Sequence, residues 1–249
     1  MSKPQRYCLF ITYDGSNYCG WQVQPNGISI QQKIEETLSI VLGEKTRIFA
    51  SGRTDSRVHA LEMRAHFDSH DTDLRKLKIS LNGLLPPDIR ILKVEKVDQE
   101  FHARFSCKKK IYQYHIHTKK ILDPFYRHYR LHFSKPLDKE KIKEGIGYLL
   151  GTHDFTSFAN EAHRGSAKNN PIKTLYRIDC IEKEFGLVFE LEGDGFLYKM
   201  VRNLIGSLLD VGQSKIPPQE LQNILKAKDR KKASAALPPH GLFLIKGIY

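Results

Sequence analysis

The residues most able to do chemistry lie in one short run, Ser51-Gly52-Arg53-Thr54-Asp55-Ser56-Arg57-Val58-His59-Ala60. Asp55 sits between Arg53 and Arg57. Flanking guanidiniums favour the ionised carboxylate, the form that a nucleophile or a general base needs. The same run also suits a surface turn in which an aspartate caps a backbone amide, and spacing alone leaves both readings open. A second run, 104–120, carries Arg104, Lys108, Lys109, Lys110, Lys119 and Lys120, with no carboxylate from Phe101 to Leu122. Tyr112 and Tyr114 interleave with these cations. Cations mixed with rings suit phosphates and stacked bases, whereas a solvated charged face is the plainer explanation. His115 and His117 could share a strand face as metal ligands, but a third ligand is not evident, so no metal is expected.

The composition narrows the partner class. The chain of 249 residues has 40 Lys and Arg against 28 Asp and Glu, a net charge of +12 with His neutral. Its sequence pI is about 9.4. Such a surplus points to a polyanion, with nucleic acid ahead of a membrane surface. A hydrophobic content of 40% supplies a sizeable core and excludes disorder for most of the chain. No apolar run approaches the roughly 20 residues of a membrane span. The start, MSKPQRYCLFITYDG, reads straight into a strand, so no signal peptide is expected. Cys8, Cys19, Cys107 and Cys180 form no CxxC pair. Reduced thiols in a cytoplasm are expected, rather than a zinc site or a disulfide framework.

The elements that must hold these residues are readable in outline. CLFIT predicts a strand over Tyr7–Tyr13, and Gly15, Gly20, Pro25 and Gly27 punctuate the loop after it. Ser29 and Gln32 form a capping-box pattern for a helix that Gly43 ends, with Ile30, Ile34, Leu38, Val41 and Leu42 on one face. Strands are expected at Thr46–Ala50, Met63–Asp68 and Ile89–Val97, and a helix at Leu74–Leu85. Strand, helix, strand, strand, helix, strand is the order of a ferredoxin-like split unit. The second half repeats that kind of order. It predicts strands at Ile111–His117, Leu175–Ile181, Leu187–Gly193 and Leu242–Ile245, and helices at Asp138–Leu149, Tyr198–Val211 and Pro218–Ala227. The loop Glu161–Pro171 reads as mobile, and the run KAKDRKK at 226–232 as a helix C-terminus complementing its dipole. An α+β body is expected, with an N-terminal lobe at 1–105 carrying the Asp55 loop and a C-terminal lobe at 106–249 sharing one continuous core.

Five ordered motifs along nearly the whole chain resemble the TruA family of tRNA pseudouridine synthases. GRTD followed by VHA is similar to that family's GRTDxGVHA signature. YDGSNYCGWQ, FHARFS with YQY, DFTSF, and MVRN with Gly206 and Ser207 are similar to the others. The resemblance implies two fused ferredoxin-like lobes with a central cleft, and isomerisation of uridine to pseudouridine in tRNA, at anticodon stem-loop positions 38 to 40. It implies that Asp55 is the catalytic carboxylate, Arg202 its ion-pair partner and Tyr112 the ring stacked on the target base. Arg53 would contact the RNA or fill the space of the extruded base, and Lys108, Lys109 and Lys110 would grip its backbone. No cofactor is implied, because the reaction is redox-neutral. A homodimer is implied.

Two departures from the family pattern stand out. Arg57 occupies the position of the signature's second glycine, and Glu62-Met63 replaces the usual Gly-Gln pair. Both put substrate preference in question, and Arg57 raises the alternative of a catalytically inactive tRNA-binding module on the same fold. A glycoside hydrolase ordinarily needs two cooperating carboxylates, and this loop offers one.

Overall fold

A computed structural model describes residues 4–160 and 170–249. In chain order the elements are β1 (Gln5–Tyr13), α1 (Ile30–Leu42), β2 (Phe49–Ala50), β3 (His59–Ser69), α2 (Leu74–Leu84) and β4 (Ile89–Val97). There follow β5 (Lys109–His117), β6 (Leu131–His132), α3 (Lys139–Leu149), β7 (Gly151–Asp154), β8 (Ile172–Lys183) and β9 (Gly186–Gly193). The chain closes with α4 (Met200–Gly212), α5 (Glu220–Ala227) and β10 (Leu242–Ile248). The loop expected to be mobile lies, except for its last two residues, outside the described residues.

The chain divides into two compact units, Met1–Lys108 with Phe243–Tyr249, and Lys109–Leu242. The terminal strand, which the sequence division at 105/106 assigned to the second lobe, thus belongs with the first unit. Its Phe243 and Leu244 pair in parallel with His59 and Ala60 of β3, and the stacking of Phe243 on His59 at 4.6 Å adds a buried contact.

In the first unit β1 lies between β3 and β4, antiparallel to both, and β2 adds to the far side of β3. The β2–β3–β1–β4 neighbour order is that of a ferredoxin-like unit. Ile34, Leu38, Leu77 and Leu81 from the two helices are buried with Tyr7, Leu9, Ile11, Met63 and Phe67 from the sheet. Helix α1 begins as its sequence implies. The Ser29 side chain accepts from the Gln32 amide, and Gly43 takes the left-handed conformation at the end. The reciprocal half of the capping box is replaced, because the Gln32 side chain donates to Glu36 instead.

The second unit repeats this logic. β9 lies between β5 and β8, antiparallel to both, as β3 lies between β1 and β2. Two strands escaped the sequence reading. β6 pairs with β5 through Leu131 and His132 alone, and β7 adds to β8 through Gly151–Asp154. Both are too short and too polar to show alternation. Nearly every residue of α4 is buried, the polar Arg202, Asn203 and Ser207 included, so this helix forms the centre of the unit.

Candidate active site

The Asp55 loop is built by the segment that follows β1. Trp21 donates its amide to the Thr54 carbonyl at 3.1 Å, and Arg57 donates its own to the Tyr18 carbonyl at 3.3 Å. The Ser56 hydroxyl donates to the same Tyr18 carbonyl. The hydroxyls of Tyr13 and Thr54, both buried, lie 2.8 Å apart. The Val58 amide closes the turn by donating to the Asp55 carbonyl. These bonds fix the backbone on both sides of Asp55, which is half-buried, while Arg53 and Arg57 are exposed.

This packing explains the glycines of YDGSNYCGWQ. A Cβ on Gly15 would come within 2.1 Å of the Val58 carbonyl oxygen, and one on Gly20 within 2.7 Å of that of Thr54. Gly20 also has φ +105°, which side chains resist. Gly15 in turn donates its amide to His59 Nδ1 at 3.1 Å, joining the loop to the start of β3. The two segments are one construction.

Arg57, at the signature's glycine position, has φ +63°. The loop therefore keeps the left-handed turn that a glycine would take freely. Glu62 accepts from the Arg64 guanidinium, and Met63 is fully buried. Met63 is therefore a core residue.

In the second unit Tyr112 is buried at 8% exposure on β5 and meets Phe196 edge-to-face at 5.1 Å. Arg202 is equally buried, in the first turn of α4, and donates Nε to the Leu237 carbonyl at 2.5 Å. The Tyr114 hydroxyl donates to the next carbonyl, Pro238, at 2.7 Å. Burial pushes the Tyr114 phenol up, with nearby Arg202 opposing it.

DFTSF and MVRN are the scaffold of that arginine. Asn203 donates to the Phe158 carbonyl at 2.6 Å. The Ser157 hydroxyl donates to the Ile224 carbonyl and accepts from the Asp229 amide. Arg230 donates to Asn160, Asn203 and the Ala233 and Ser234 carbonyls, and burial lowers its pKa. The run 226–232 is thus not merely a helix terminus. Lys228 ends α5 in the left-handed region, and Arg230 clamps the segment leading to Leu237. Its neighbours in the sequence are exposed lysines, which hid this role.

The three lysines differ in setting. Lys108 is exposed at the end of the first unit. Lys109 is bound to Glu192 at 2.7 Å and lies over the Tyr176 ring. Lys110 is half-buried on β5, paired with Gly193. His115 bonds Gln113 and His117 bonds the Ile121 carbonyl. Among the described residues no group of three or more His, Cys, Asp or Glu is placed to hold a metal. The cysteines are all free thiols, and burial pushes Cys8 up to about 12 and Cys180 up to about 11.

Comparison of the sequence supplies the family: the chain matches the tRNA pseudouridine synthase family over residues 9–106 and 146–249 and belongs to it. It is 54% identical to tRNA pseudouridine synthase A 1 of Protochlamydia amoebophila, over 98% of this chain and 96% of the relative. It is 41% identical to tRNA pseudouridine synthase A of Thermoanaerobacter sp. strain X514, over 97% and 98%. Identity to tRNA pseudouridine synthase A 1 of Bacillus cereus strain ATCC 14579 is 43%, over 94% of each. Among solved structures, a Cbf5-Nop10-Gar1 complex aligns with a TM-score of 0.42 and 10% identity, covering 96% of this chain and 48% of that one. Membership rests on the sequence relatives. Among the described residues no helix is long and apolar enough to cross a membrane.

Proposed function

We propose that this protein converts uridine to pseudouridine in the anticodon stem-loop of tRNA, at positions 38 to 40. The observation that carries this reading is the hydrogen-bonded frame around Asp55, which fixes the carboxylate's backbone before substrate arrives. The reaction breaks the N1–C1′ bond and forms C5–C1′. N1 ends protonated and C5 loses its hydrogen, so atoms balance without an oxidant or a cofactor. Asp55 acts on the nucleoside as nucleophile or base. Tyr112 stacks on the extruded base, Arg202 pairs with the Asp55 carboxylate, and Arg53 meets the RNA.

The remaining parts of this reading are a homodimer and a cytoplasmic location. One subunit's cations would hold the RNA that the other modifies, because a chain of 249 residues spans little of a tRNA. Light scattering at assay concentration tests the dimer, and a fully active monomer refutes it. Pseudouridine mapping of tRNA from cells lacking the protein tests the activity. Loss of the modification at positions 38 to 40 supports it, and an unchanged map contradicts it. The inactive-module alternative rested on Arg57, and that residue's backbone takes the turn its position requires.

A further inference from the structure

Away from the Asp55 loop, the first unit carries a patch of aromatic rings ringed by cations. The chain from Lys45 to Phe49 alternates outward and inward: Lys45, Arg47 and Phe49 are exposed, whereas Thr46 and Ile48 are buried. Two hydrogen bonds enforce that alternation, from the Thr46 amide to the Ser39 hydroxyl and from the Ile48 amide to the Glu35 carboxylate. Phe49 is 49% exposed and stacks on His66 at 5.3 Å. His66 meets His102 edge-on at 4.5 Å, and His102 meets Phe105 at 4.3 Å. Phe105 is 77% exposed.

The outer ring is held in place. His102 Nδ1 accepts from the amides of Arg104 and Phe105, at 3.1 and 3.4 Å. The Ala103 amide donates to His66 Nδ1, and the Tyr249 hydroxyl donates to the Ala103 carbonyl. Phe105 is thus a ring on a fixed turn, and not the tip of a loose loop. Arg104 lies 5.7 Å from its centroid. Lys45, Arg47 and Arg104 are exposed and form no ion pair among the described residues. Of the carboxylates nearest in sequence, Glu44 accepts from the Ser69 hydroxyl, and Glu100 stands exposed four residues before Arg104.

We propose that Phe105 and Phe49, flanked by Lys45, Arg47 and Arg104, form a second RNA-contact site that stacks an unpaired base and neutralises its neighbouring phosphates. Rings that accept a base face beside cations that follow the backbone are what single-stranded nucleic acid requires. A protein partner of ordinary interface composition would meet three uncompensated cations here. The site is distinct from the Asp55 loop. His66 lies seven residues along β3 from His59, roughly 23 Å at the rise of a strand. This inference rests on the proposed tRNA substrate and identifies where, besides the reacting uridine, the RNA is held.

The test is tRNA binding by fluorescence anisotropy at several salt concentrations, which does not depend on catalysis. Phe105→Ala is expected to weaken binding roughly 5- to 100-fold with an unchanged salt slope, because stacking releases no counterions. Phe105→Trp is expected to restore the affinity. The triple variant Lys45→Gln, Arg47→Gln, Arg104→Gln is expected to flatten the slope of log K against log salt by about 2 to 3. Wild-type affinity and slope in both variants would overturn the inference, as would loss of dimer mass in Phe105→Ala, which marks a protein interface instead. A wild-type protein that binds tRNA through these residues yet forms no pseudouridine would leave the platform standing and remove the proposed activity.

Discussion

The Trp21 amide meets the Thr54 carbonyl at 3.1 Å, so the residue before Asp55 is anchored to a segment more than thirty positions earlier. The carboxylate's position is therefore decided by the glycines that let the two backbones approach. Gly15→Ala and Gly20→Ala should each destabilise the protein by about 1 to 3 kcal/mol, because neither carbonyl can retreat without breaking this frame. Urea denaturation measures the loss. Turnover should fall further than stability explains, as shown by assaying each variant at a temperature where it is still folded.

Arg57→Gly should behave oppositely. The residue sits at φ +63° with an exposed side chain, and glycine relieves a left-handed cost of about 1 kcal/mol at that position. Part of the gain is offset by the greater freedom of glycine in the unfolded chain. A midpoint shift of a few tenths to 1 kcal/mol in favour of the variant is expected. A lower midpoint would show that the guanidinium makes a stabilising contact.

His66 ties stability to pH. Burial lowers its pKa to about 4, with His102 and Arg6 adding to the effect and Asp68 and the Phe49 backbone opposing it. The unfolded imidazole titrates near 6.5, so between those values the unfolded chain binds the extra proton and stability rises with pH. The contribution is complete above the unfolded value and is lost as pH falls toward 4. Unfolding free energy should drop by about 2 kcal/mol more in the wild type than in His66→Gln between pH 7 and about 4.5. Equal drops would refute the assignment.

The lysine run should divide. Lys108→Ala is expected to flatten the salt dependence of tRNA binding by close to 0.9. Lys109→Ala should leave the slope nearly unchanged, because its ammonium is already matched by Glu192. Equal effects would mean that RNA displaces the Glu192 pair.

Much of the framework was legible in the sequence because it is written in local signals. The Ser29 cap, the Gly43 terminus, the apolar run of β1 and the alternation of β5 each depend on neighbouring residues. The Asp55 loop was legible as a motif, yet its support was not. Nothing local to Trp21 or Tyr18 says that their backbone groups serve Thr54 and Arg57. Arg230 was missed for the same reason, since two of its four partners, Asn160 and Asn203, come from distant segments and its surroundings are surface lysines. Glu62-Met63 misled in the other direction. A departure from a family pattern reads as a change of substrate preference, but Met63 lies fully buried in the core.

In the proposed function one carboxylate carries the chemistry while cations and rings carry the binding. Asp55→Asn preserves size and shape and removes only the charge, so it separates the two. Pseudouridine formation and tRNA affinity should be measured on the same preparation. No detectable isomerisation by Asp55→Asn is expected, with a dissociation constant for tRNA within a few-fold of the wild type. Near-normal turnover by Asp55→Asn would contradict that assignment.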